Sequence, residues 1–176
     1  EPGARRKTVV LLANAAAEEA KRLAPEFQSA GVNLLVFEPS GVDSAMFPQK
    51  ERPHLLRLAA LVGETLTSLR VRDALGAVRA LTAHGAVDPQ GIYLWGRGEL
   101  AIPALYAAVS DEKVAGVFLE DAPDHHESET ALFRILRYAD VPQSAAILFP
   151  RPVFFSGTRA PGFAWTEEVY RVLGQP

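Results

Sequence analysis

Apolar residues along this chain recur in two rhythms. Thr8 to Ala13 (TVVLLA) and Asn33 to Phe37 (NLLVF) are short continuous apolar runs, the pattern of strands buried on both faces. Ile92 to Trp95 (IYLW), Val114 to Leu119 (VAGVFL) and Pro152 to Phe155 (PVFF) repeat it and predict three more strands. Between these runs the period lengthens to that of a helix. Ala15 to Ala30 carries Ala20, Leu23, Ala24 and Phe27 on one face, with Asn14 as a candidate cap and Gly31 as the stop. Val42 to Pro53 is polar and irregular. After it Leu55, Leu58, Leu61 and Val62 mark one helical face, and Val71, Leu75, Val78 and Leu81 mark another that Gly85 would close. Glu99 to Val109 is apolar nearly all round, which predicts a buried helix that tolerates Pro103 near its start. Thr166 to Leu173 predicts a short final helix, and Pro39-Ser40-Gly41 and Asp88-Pro89 supply turns.

Strands alternating with helices predict one three-layer α/β/α domain with a mostly parallel five-stranded sheet and right-handed crossovers. A length of 176 residues fits a single domain, and no repeat, low-complexity tract or interior linker divides it. Hydrophobic residues are 48% and charged residues 22%, a composition that argues against disorder. A net charge of -3 leaves no basic field, so nucleic acid is not an expected partner. The absence of cysteine excludes a disulfide framework, a thiolate nucleophile and a zinc site built on sulfur. No apolar run approaches the roughly eighteen residues that span a bilayer, and the start carries no signal-peptide core. The first residue is Glu1 rather than Met, so the expectation is a processed product or a fragment or C-terminal domain of a longer protein.

The stretch Val87-Asp88-Pro89-Gln90-Gly91-Ile92-Tyr93-Leu94-Trp95-Gly96-Arg97-Gly98-Glu99-Leu100 runs from a turn through a strand into a glycine-rich bend and an alanine-rich helix. It resembles the nucleophile region of α/β-hydrolases, and more narrowly that of the acetyl xylan esterase and dienelactone-hydrolase-like branch. Arg70-Val71-Arg72-Asp73-Ala74 resembles the helix before that region. Tyr138-Ala139-Asp140-Val141-Pro142, with Pro150-Arg151-Pro152-Val153, resembles the branch's approach to its next strand. The resemblance spans roughly Thr8 to the C-terminus. It implies a sheet ordered 2-1-3-4-5, a truncated hydrolase sheet of flavodoxin-like arrangement. It also implies a bacterial parent, secreted or periplasmic, in a carbohydrate-degrading context.

The chemistry departs from that pattern. In this fold the nucleophile occupies G-x-S-x-G on a sharp strand-to-helix turn. Here the pattern is Gly96-Arg97-Gly98-Glu99-Leu100, so glycine stands at the serine position and leucine at the last glycine. Glycine cannot form an acyl-enzyme. The resemblance places the acid after the Pro152 strand, at Gly157-Thr158-Arg159, where Thr158 and its neighbours offer no carboxylate. It places the base later still, and no histidine follows His126. The oxyanion loop reads Asn14-Ala15-Ala16 instead of His-Gly. The expectation is a degenerate, non-catalytic domain, structural or accessory to another domain of the same parent. A homo-oligomer is a further possible assembly, and no cofactor is expected.

Two alternatives stand beside it. Asp121 to Glu129 contains two histidines among carboxylates, and Asp124, His126 and Glu129 could hold a divalent cation whose bound water attacks an acetyl ester. The plainer reading is a solvated loop that caps the next helix. A small-molecule binding module could instead use the cleft above Gly96 to Leu100 and Asp121 to Glu129, with Asn14, Arg97 and Glu99 as its binding residues. Arg97 would hold an anion where the following helix begins, unless it simply pairs with Glu99 or solvent. His54 and His84 read as solvated, Trp95 as core, and Phe163 with Trp165 as an apolar surface for another domain. No P-loop, dinucleotide fingerprint, phosphate cradle after strand one or phosphoacceptor aspartate after strand three is present.

Overall fold

The computed structural model describes residues 5–42, 50–127 and 130–174, with every side chain among them except those of Arg52 and Leu55. The apolar runs become β1 (Arg6–Leu12), β2 (Asn33–Phe37), β3 (Val87–Arg97), β4 (Val114–Glu120) and β5 (Val153–Ser156). They form one parallel sheet in the order β2-β1-β3-β4-β5, as expected. Among the described residues six α-helices connect and flank them: α1 (Ala16–Ser29), α2 (Arg52–Leu61), α3 (Leu66–Thr82), α4 (Ala101–Ser110), α5 (Val141–Ala146) and α6 (Ala164–Val172).

Side chains alternate across each strand, so the two faces of the sheet have separate cores. Val10, Leu12, Ile92, Leu94, Val117 and Leu119 face α3, α4 and α5 in the larger cluster. Residues 101–108 of α4 are all buried there, Pro103 included, because its missing N–H falls in a first turn that has no acceptor to bond. On the opposite face Leu11 and Trp95 pack against Leu23 and Phe27 of α1. Farther along that face Tyr93, Phe118 and Phe154 form an aromatic ladder with centroid separations of 6.0 and 4.6 Å. The ladder belongs to neither core cluster, and Phe154 is 42% exposed.

Several local expectations are corrected. Asn14 does not cap α1: the boundary residue is Ala15, one position later, and the Ala16 amide donates to Glu38 Oε1 at 2.8 Å. That carboxylate, from the end of β2, meets the positive end of the helix. β2 is half-buried rather than buried, because it is an edge strand. α3 ends at Thr82 with Ala83 as its cap, and Gly85 does not adopt the left-handed conformation of a C-cap. The apolar face of α2 turns outward, with Leu61 and Val62 exposed. β3 begins at Val87, its pairing interrupted where the Gln90 amide donates to Asp88. Phe163 is fully buried against Phe155, so only Trp165 of that pair lies on the surface.

Candidate functional site

A parallel sheet binds ligands where its winding reverses, outside the carboxyl ends of the strands. Here β1 lies between β2 and β3, so the crevice is lined by the loops after β1 and β3. Asn14 and the run Gly96 to Glu99 converge on it. Asn14 and Glu99 are both exposed there, and neither side chain has a hydrogen-bond partner among the described residues.

Gly96 and Gly98 play different parts. A Cβ at Gly96 would run into the carbonyl of Leu100 and the Cα of Ala101, so this glycine lets β3 and the following turn touch backbone to backbone. Gly98 has φ +53 and opens the 3₁₀ turn Gly98–Leu100 that leads into α4. A Cβ there would meet nothing within 4 Å. The chain thus makes a sharp, left-handed apex pointing into open space, with no side chain on it. Leu100 is buried in the larger core, which suits leucine where the motif has its last glycine.

Beside the apex, Arg97 is engaged in the β3–β4 register that sets it opposite Glu120. Its Nε donates to Glu120 Oε2 at 2.5 Å and its Nη1 meets Glu19 Oε2 at 2.8 Å. Its guanidinium lies 4.6 Å from the centroid of Trp95, whose indole N–H donates to the same Glu120 oxygen at 3.0 Å. Glu19 also receives Arg22 at 2.7 Å. Burial works against the Arg97 charge, but its bonds to Glu120 and Glu19 outweigh that and raise its pKa. The bond from Arg22, and then Arg97, holds the Glu19 carboxyl below its ordinary value. Arg97 therefore does not pair with Glu99: the two diverge across the bend, and two glutamates from other elements claim the guanidinium. Nothing in the sequence signals Glu19 and Glu120, because their meeting with Arg97 depends on strand register and helix placement.

Among the described residues of the loop after β4, the candidate cation ligands are each engaged with other partners. Asp124 accepts from the Gly162 amide at 2.7 Å and from His125 Nδ1 at 2.9 Å. The His125 bond and then the Gly162 bond lower its pKa, and the same pairing raises that of exposed His125, which also meets Glu127 at 3.1 Å. His126 faces elsewhere: Nε2 lies 2.8 Å from Tyr106 Oη and Nδ1 lies 2.9 Å from the Thr130 carbonyl. Tyr106 continues to buried Ser144 at 2.8 Å, and burial raises its phenol pKa. Glu129 lies outside the described residues. Among the described residues no three acidic or histidine side chains are grouped to share a metal ion.

At Thr158 the expected position of the acid has no carboxylate of its own, yet one reaches it. Asp121, in a left-handed conformation at φ 48, accepts the Thr158 amide at 2.6 Å, and a Cβ on Gly157 would strike its carboxylate. Asp121 and Asp124 together tie the loop after β5 to the loop after β4. Their role is visible only once both loops are placed at the same sheet edge.

No protein-family model and no curated protein matches the sequence. Solved structures match the fold. A proposed acetyl xylan esterase from Bacteroides fragilis superposes with a TM-score of 0.79 at 11% identity, covering 100% of this chain and 58% of that one. A glucuronoyl esterase from Solibacter usitatus gives a TM-score of 0.65 at 13% identity, with 98% and 63% covered. An α/β hydrolase from a Penicillium species gives 0.63 at 12%, with 96% and 78% covered. The chain spans 58% of the length of the first of these and has an α/β-hydrolase type of fold.

Proposed function

We propose that this is an esterase-like α/β-hydrolase domain that carries out no serine-based ester hydrolysis and serves a larger protein as a structural or accessory domain. One observation carries the reading. The left-handed apex at Gly98 keeps open space ahead of it and has no side chain to act as a nucleophile. The surroundings favour the same conclusion. Arg97, which could have steadied an oxyanion or an anionic substrate, is neutralised by Glu19 and Glu120. The imidazole of His125 is bonded to Asp124 and Glu127, and that of His126 to Tyr106 of α4 and the Thr130 carbonyl. The aromatic ladder over β3–β5 and exposed Trp165 offer a neighbouring domain apolar surface to cover.

The experiment is turnover of 4-nitrophenyl acetate and of acetylated xylo-oligosaccharides by the purified chain, with and without added zinc, manganese or calcium. The reading expects rates equal to the buffer blank in every arm. Enzyme-dependent turnover without metal would overturn it, and turnover only with metal would favour a metal-activated water instead.

A further inference from the structure

A short turn between β4 and α5 holds an unusual set of side chains in solvent. Phe133 is 55% exposed, Leu136 63% and Tyr138 82%, while Arg134 and Arg137 stand exposed between them. Single exposed apolar residues are ordinary, but three within six residues on one turn form a patch. The turn is anchored. Leu132 and Ile135 pack against the larger core, the Arg137 amide donates to the Arg134 carbonyl at 3.0 Å, and Ala139 donates to Ile135 at 3.1 Å. Asp140 closes it by capping α5 and accepting the His126 amide at 3.0 Å. Arg134 sits at φ 62, a conformation uncommon outside glycine, and the surrounding contacts maintain it. Among the described residues neither Arg134 nor Arg137 has an ionic partner.

We infer that residues 133–138 are a docking surface for an acidic protein segment whose apolar side chains are flanked by carboxylates. The apolar groups would cover Phe133, Leu136 and Tyr138, and the carboxylates would meet Arg134 and Arg137. Aromatic and arginine side chains on a fixed backbone are the usual anchors of protein interfaces, and the guanidinium fork matches a carboxylate in two bonds. An anionic membrane fits less well. Its recognition draws on about four to eight basic residues, whereas this turn has two. The inference is independent of the reading of Gly98.

The test pans a random dodecapeptide phage library against the full chain, with counter-selection on R134Q/R137Q. Selected peptides should carry two or more Asp or Glu flanking aromatic or aliphatic residues. The most enriched one, measured by fluorescence polarisation, should bind R134Q/R137Q and, separately, L136S at least tenfold more weakly, and should weaken as NaCl rises. Circular dichroism checks that each variant is folded, and the two variants are read independently. Absence of enrichment, peptides without acidic bias, or equal binding to both variants would overturn the inference. Arginine-dependent binding to phosphatidylserine vesicles without peptide binding would overturn it in favour of a membrane.

Discussion

Replacing Gly96 and Gly98 separately by alanine distinguishes a glycine needed for packing from one that marks an empty apex. At Gly98 the added Cβ meets open space, so the opposing term is the left-handed backbone at φ +53. That conformation disfavours a residue with a Cβ by about 1–2 kcal/mol, and the stiffer unfolded chain returns roughly 0.4–1 kcal/mol. The net loss should be about 1 kcal/mol. At Gly96 the Cβ lands on the Leu100 carbonyl and the Ala101 Cα, both of them backbone, so β3 or the start of α4 must move. Overpacking of this kind costs about 1–3 kcal/mol and sometimes more, and rigid neighbours put it at about 3 or above. At roughly 2–4 °C per kcal/mol for a chain of this size, Gly98→Ala should lower the Tm by about 2–4 °C and Gly96→Ala by about 6–12 °C. Thermal and urea unfolding followed by circular dichroism measure the Tm shifts and the free energies of both variants. A Gly98→Ala loss equal to or larger than that of Gly96→Ala would refute the open apex and the assignment of the two glycines.

Arg97→Ala should destabilise by about 1–2 kcal/mol in low salt, since its two ion pairs are only partly buried, and the loss should shrink in 1 M NaCl, where screening is nearly complete. A salt-independent loss in paired urea titrations would show that stacking on Trp95 dominates. Glu38→Ala removes the acceptor at the start of α1 and should cost about 0.5–1 kcal/mol in the same assay. The Asp124 carboxyl titrates below its ordinary 3.8, so its tie to Gly162 is present above that pH and is lost as pH falls through the lowered value. His125 titrates above its ordinary 6.5, so its share is complete below that pH and fades as pH rises through the raised value. Protection of the Gly162 amide against hydrogen exchange should therefore fall on the acid side, as Asp124 is protonated, and hold through the His125 titration, and Asp124→Asn should flatten the profile.

The strands were legible because a parallel sheet covered by helices needs continuous apolar runs, and β1, β4 and the core of β3 are such runs. The bend at Gly96–Gly98 was legible from its glycine spacing beside a strand. The short helix α5 is too brief for apolar periodicity to mark, and its signals in the sequence are the capping box of Asp140 and Gln143 and a proline in its first turn. The outward face of α2 was not legible, because periodicity gives a helix its stripe without saying what lies opposite. The cluster of Arg97, Glu19, Glu120 and Trp95 and the paired loops held by Asp121 and Asp124 depend on tertiary register. Charges far apart in the chain meet there for reasons no local pattern encodes.

The central claim is that no serine in this chain is an activated nucleophile and that the apex at Gly98 carries none. A serine-reactive fluorophosphonate probe, followed by peptide mass spectrometry, tests it on the unaltered chain and on Gly98→Ser. Neither protein should be labelled above a heat-denatured control, because the apex of the variant has no histidine placed to take its proton. Labelling of any serine in the unaltered chain would contradict the account and mark the true site, and labelling of Gly98→Ser at the new residue would reveal a base near the apex that the account leaves out.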